Sequence, residues 1–153
     1  MAFYGLRKLN HTPSAGLKSL IEISGKKGKL SIMDVVFSLG PRINAAGRLS
    51  HAKESVNLLI GDQSETSAFA DHLNNKNIER REFDQSITSE ALEMSSQLPE
   101  DKKSTVLFKE SWHKGVIGIV ASRCIEHYYK PTIILTESEG KATGSARSVD
   151  GFD

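Results

Sequence analysis

The chain has 153 residues, of which 38% are hydrophobic and 25% charged, and its formal net charge is +1. That profile is globular and excludes a disordered chain. No apolar run reaches the roughly 18 residues that a bilayer span needs, and the first ten residues lack the apolar core of a signal peptide. A cytoplasmic protein with no membrane partner is therefore expected. Near-zero net charge is uninformative about nucleic acid, so any contact with it must come from local clusters.

In chain order, the pattern predicts a helical half, a long helix and the start of an α/β lobe. Pro13 and Ser14 open a helix in which Leu17, Leu20 and Ile21 recur at helical spacing. The segment from Gly25 to Gly28, with Lys26, Lys27 and Lys29, forms a loop after it. These lysines are close in sequence to Arg42 and Arg48, and a solvated basic loop is the plain reading. Ser31 suits the N-cap of a second short helix with Ile32, Val35, Val36 and Leu39 on one face, which Gly40-Pro41 would end. Pro41 to Leu49 shows little periodicity. Ala52 to Ile60 is helical again, and Gly61-Asp62 breaks it.

From Ser64 to about Leu98 the chain carries no glycine or proline and only a thin apolar stripe, which predicts a long solvent-bridging spacer helix. The remainder reads as strand (Ser104 to Lys109), helix (Gly115 to Tyr129) and a buried, parallel-type strand (Thr132 to Thr136). A further strand follows over Ala142 to Arg147. The single cysteine, Cys124, allows no disulfide within one chain and suits a buried thiol. An α/β lobe of about fifty residues would cover such a small sheet poorly.

Three stretches carry candidate chemistry. Gly40 to Arg48 joins two guanidinium groups, Arg42 and Arg48, with Asn44 and small residues. Arginine forks match phosphate oxygens, and the alternative is a loop tied down by arginine bonds to carbonyls. Gly144-Ser145-Ala146-Arg147-Ser148 could hold a phosphate through an N–H, a hydroxyl and a guanidinium, or be an ordinary strand end. Trp112-His113-Lys114-Gly115 precedes a helix whose first turn suits an anion. There Trp112 is either a base platform or a packed indole, and His113 either a phosphate donor or a capping group. Gly118, inside that helix, suggests close packing. The five histidines are scattered and no carboxylate cluster accompanies them, so no metal site, nucleophile or Walker loop can be argued.

Taken together, these stretches resemble the RecJ branch of the DHH phosphoesterases. The resemblance is carried by Gly5-Leu6-x-x-Leu9-Asn10, by Gly40-Pro41-Arg42-Ile43-Asn44-Ala45-Ala46-Gly47-Arg48-Leu49, by His113-x-Gly115-Val116-Ile117-Gly118-Ile119-Val120-Ala121-Ser122-Arg123, and by Gly144-Ser145-x-Arg147-Ser148. It implies the following organisation: residues 1–62 as the helical end of a DHH catalytic domain, 63–100 as a long connecting helix, and 101–153 as the N-terminal part of a partial α/β DHH-associated domain.

It further implies a single-stranded-DNA-specific 5′–3′ exonuclease of DNA repair and recombination. Such an enzyme hydrolyses phosphodiesters with two Mn2+ or Mg2+ ions, and a helicase or single-strand-binding protein would be its further partner. Arg42, Asn44, Arg48, His113, Gly144, Ser145 and Arg147 would contact DNA, with the Gly144-Ser145-x-Arg147 stretch on the 5′ phosphate. The Asp-His-His motif and its partner aspartates are expected upstream of Met1. The Gly-Gly-His motif and an oligonucleotide-binding fold are expected beyond Asp153. On that reading the chain holds no catalytic residue, binds no metal specifically and is inactive alone. The alternatives are a non-catalytic nucleic-acid-binding module, a structural spacer, or a relative acting on short oligonucleotides, cyclic dinucleotides or pyrophosphate.

Overall fold

The computed structural model describes residues 1–152, which form two compact units, Met1–Arg80 and the residues from Arg81 onward. The first unit is all helical: α1 (Ala2–His11), α2 (Ala15–Ile23), α3 (Ile32–Asp34), α4 (Gly40–Leu49), α5 (Lys53–Ile60) and the start of α6 (Gln63–Ser96). Its core gathers Leu20, Leu30, Leu39, Ala46, Leu58, Ala70 and Leu73.

Ser31 caps α3 as its residue type predicts. Its hydroxyl accepts the Asp34 N–H, and the Asp34 carboxylate accepts the Ser31 N–H at 2.9 Å, a reciprocal capping box. Lys26 closes on the same carboxylate at 2.6 Å. Hydrogen bonds from Lys26 and then Ser31 hold that carboxyl well below the usual carboxylate range. A depressed carboxyl contributes stability above its ordinary pKa, and that contribution is lost as pH falls through the depressed value.

Gly40-Pro41 does not end this helix. A π-helical turn over Val35–Leu39 joins α3 directly to α4, with the Gly40 N–H donating five residues back to Val35. Pro41 has no N–H to place in the ladder and sits in the first turn of α4, where proline is tolerated. The stretch from Pro41 to Leu49, aperiodic in sequence, is therefore helical. The expected apolar face is also only partly buried: Leu39 is enclosed, but Ile32 and Val36 are exposed.

The long α6 forms as predicted, yet it is no bare spacer. Thr66, Ala70, Leu73 and Asn77 are buried in the first unit, and Asp84, Ile87, Ala91 and Ser95 in the second. Small and polar residues supply much of this buried surface, which is why the apolar stripe looked thin.

The second unit adds β1 (Thr105–Phe108), α7 (Ile117–Tyr128), β2 (Thr132–Ser138) and β3 (Lys141–Arg147), with sheet order β1-β2-β3. β1 and β2 run parallel, joined through α7; β3 returns antiparallel to β2 with Thr132 opposite Arg147. The core holds Ile87, Ala91, Leu107, Trp112, Val116, Val120, Cys124 and Ile134. Cys124 is buried, and burial pushes its thiol pKa up. β2 is not buried on both faces: Ile134 is enclosed while Ile133, Val106 and Phe108 are exposed on the other side. The helix covers one face of the sheet only, which gives the alternating burial of a half-covered strand.

Candidate nucleic-acid interface

In the first unit, the fold separates residues that the sequence grouped. Asn44 and Arg48 lie four apart on α4 and share its exposed face. Arg42 points elsewhere. Its Nε donates to Asn74 Oδ1 on α6 at 2.9 Å, and its Nη1 donates to the Ser38 carbonyl at 2.8 Å. That guanidinium ties the π turn to α6.

In the second unit, β3 and the first turns of α7 build a polar cluster. Residues two apart on a strand share a face, so Ser145 and Arg147 point the same way. Arg147 Nε donates to Ser122 Oγ at 3.2 Å, and its Nη1 donates to Ser145 Oγ at 3.0 Å and to the Ala146 carbonyl at 2.8 Å. Ser122 in turn donates to the Gly118 carbonyl at 3.1 Å.

Gly118 is what permits the approach. A Cβ there would lie 3.1 Å from Ser145 Oγ and 3.2 Å from Arg147 Nη2. The cluster therefore combines a half-exposed hydroxyl pair, an exposed guanidinium and the positive end of the α7 dipole. Guanidinium, hydroxyl and helix N-terminus are the donor types that suit an anion of phosphate geometry.

Gly144 is explained by packing. A Cβ at that position would collide with the Leu135 side chain and lie 2.9 Å from the Ile134 carbonyl oxygen. Ser122 was not singled out from the sequence. Its spacing of four residues from Gly118 places both on one face of α7, and that periodicity was the available signal.

Trp112 is a packed indole. It is 3% exposed, and its Nε1 donates to Glu90 Oε2 at 2.8 Å. Lys109 donates to the same oxygen at 2.7 Å, and these bonds, Lys109 first, hold the Glu90 carboxyl below its ordinary pKa. The His113 ring accepts the Gly115 N–H on Nδ1 at 3.0 Å and stacks on Phe83 at 5.3 Å, so it caps the turn into α7.

Among the described residues, no group of three or more His, Cys, Asp or Glu side chains could hold a metal ion. The described residues do not fit a divalent-metal centre. Nor is any described helix long and apolar enough to cross a membrane.

No protein-family model matches the chain. The single-stranded-DNA-specific exonuclease RecJ of Bacillus subtilis is 40% identical over 157 residues, which take in 100% of this chain and 20% of that protein. RecJ of Escherichia coli is 36% identical over 144 residues, 90% of this chain and 25% of the relative. The crystal structure of exonuclease RecJ bound to manganese superimposes with a TM-score of 0.83 at 31% identity, over 96% of this chain and 36% of that one. Along its whole length the chain matches a segment of RecJ. RecJ of Thermus thermophilus in complex with Mn2+ gives a TM-score of 0.82 at 32% identity, over 96% of this chain and 22% of that one. The chain spans only about a fifth to a quarter of the curated RecJ relatives just compared. The helical half and the partial α/β lobe expected from the sequence are thus both present.

Proposed function

We propose that the chain serves a RecJ-type 5′–3′ exonuclease as its DNA-positioning part, and that the cluster on α7 and β3 grips the 5′ phosphate of single-stranded DNA. The observation that carries this reading is the closure of Arg147 and Ser145 onto Gly118 and Ser122. The guanidinium and hydroxyls share one exposed face, and a glycine clears the space a side chain would fill. The exonuclease relatives named above support the substrate class. Asn44 and Arg48 contribute a second, weaker backbone contact from the exposed face of α4. The intact enzyme works with Mn2+ or Mg2+ in the cytoplasm, in DNA repair and recombination, beside a helicase or single-strand-binding protein.

Fluorescence anisotropy tests the grip. The chain is expected to bind a 5′-phosphorylated oligonucleotide more tightly than the same oligonucleotide with a 5′ hydroxyl. Arg147→Ala removes a charged hydrogen-bond donor, which is worth about 1.5–3 kcal/mol, so the phosphate preference should fall about tenfold or more. Equal affinity of the unmodified chain for both oligonucleotides would sink the assignment.

A second expectation concerns chemistry. Incubated with 5′-phosphorylated single-stranded DNA and Mn2+, the purified chain should release no nucleotides, because no group of His, Cys, Asp or Glu side chains among its described residues could hold a metal ion. Robust release, scaling with the chain's concentration, would refute this.

A further inference from the structure

The formal charge of +1 conceals a strong asymmetry. Residues 1–30 hold six basic side chains (Arg7, Lys8, Lys18, Lys26, Lys27 and Lys29) against one acidic, Glu22. The fold concentrates part of this charge. Asn10, near the end of α1, accepts the Leu30 N–H at 2.7 Å and donates to the Leu30 carbonyl at 3.0 Å. This clamp fixes the lysine loop beside α1. Phe3, Leu6, Arg7, Asn10, His11 and Lys29 then line a shallow cavity of about 350 Å³.

Two aromatic rings stand at the other end of the same helix. Phe3 and Tyr4 are 71% and 72% exposed, with ring centroids 5.4 Å apart in an edge-to-face arrangement. Exposed rings beside fixed cations are the combination that binds unpaired bases and their phosphates. A duplex would use the cations but offer its base faces to neither ring. An anionic lipid surface needs a continuous apolar stripe, whereas Leu6 and Leu9 are half-buried and Leu9 packs on the core of its own unit.

From this surface we infer a further single-stranded nucleic-acid contact, on α1 and the loop from Lys26 to Lys29. Phe3 and Tyr4 stack on bases, and Arg7, Lys8 and Lys29 meet the phosphates. The contact is independent of the 5′-phosphate grip: it recognises internal nucleotides and is indifferent to the terminal group.

The test uses the whole chain and an oligothymidine of about 15 nucleotides carrying a 5′ hydroxyl, with anisotropy read across a salt series. Arg7→Ala with Lys29→Ala should weaken binding at least about fivefold and flatten the slope of log K against log salt by about 1.4, since each phosphate contact on a single strand contributes about 0.7. Phe3→Ala with Tyr4→Ala should weaken binding by a similar factor and leave the slope unchanged. Both double variants should keep the preference for a 5′-phosphorylated over a 5′-hydroxyl strand within about twofold, so this contact and the 5′ grip fail separately. All four positions are exposed, and circular dichroism checks that each variant keeps its helix content.

Three results would overturn the inference. The first is unmodified affinity in both double variants, as expected if this surface packs against other protein. The second is equal affinity for a duplex of the same length, with no loss in the aromatic variant. The third is binding to vesicles of anionic lipid in place of the oligonucleotide.

Discussion

Gly16→Ala is expected to destabilise the helical unit strongly. Gly16 is buried in the first turn of α2, where that helix crosses α5. A Cβ at Gly16 would lie 2.7 Å from the Leu58 carbonyl carbon and closer still to its oxygen. Leu58 lies inside α5, so that oxygen belongs to a helical backbone and cannot swing aside as a side chain would. The two helices must separate, which opens the contacts around Leu20 and Leu58, both fully enclosed. Overpacking of this kind costs about 3 kcal/mol or more when backbone is the obstacle. For a unit of this size each kcal/mol is worth roughly 4–8 °C in melting temperature, so a fall of more than about 10 °C should appear in circular dichroism. Gly5→Ala is the control. A Cβ there meets nothing within 4 Å, and alanine in a helix interior is favoured over glycine by about 0.5–1 kcal/mol, so Gly5→Ala should be neutral or stabilising. A small change in both variants would show that α2 and α5 do not pack this closely.

The two glycines at helix contacts, Gly16 and Gly118, illustrate what could be read from the sequence. Gly118 stood inside a strongly periodic helix, so its cost in helix propensity pointed to close packing, and Ser145 and Arg147 supply the reason. Gly16 was hidden in a helix beginning after Pro13 and Ser14, and nothing local marked it as a crossing point. Ser31 was legible because capping depends on residues three apart. Gly40-Pro41 is a misleading stop signal, because a helix ends where its hydrogen-bond ladder ends, and the π turn shifts that ladder by one residue. Arg42 and Arg48 looked equivalent in the motif. Only the rotation of α4 turns one inward to Asn74 and Ser38 and leaves the other exposed. The motifs disclosed the family, while the partners of each side chain came from contacts between distant elements.

The same distinction governs Trp112, where stability and binding variants should part company. Trp112→Ala should cost about 3–5 kcal/mol, the usual range for deleting a buried large aromatic. The indole packs in the core with Val116, Val120 and Ile134, and the Trp112 carbonyl accepts the Thr136 hydroxyl at 2.6 Å. Trp112→Phe retains much of the packing and loses the bond to Glu90. Glu90 keeps Lys109 as a partner, so the loss should be nearer to about 1 kcal/mol, the net value of an ordinary hydrogen bond.

Hydrogen exchange on the residues of β1, β2 and α7 would measure both variants without relying on tryptophan fluorescence, since the chain has one tryptophan. The consequence for binding follows from connectivity. The turn containing Trp112 and His113 leads directly into α7, whose first turn carries Gly118. Trp112→Ala should therefore abolish the 5′-phosphate preference by loosening the unit, whereas Trp112→Phe should keep that preference within about twofold. A base platform would behave in the opposite way: alanine would leave protection from exchange unchanged and weaken oligonucleotide binding. The 3% exposure of the indole makes the first pattern the expected one, and observing the second would remove Trp112 from the core and return it to the interface.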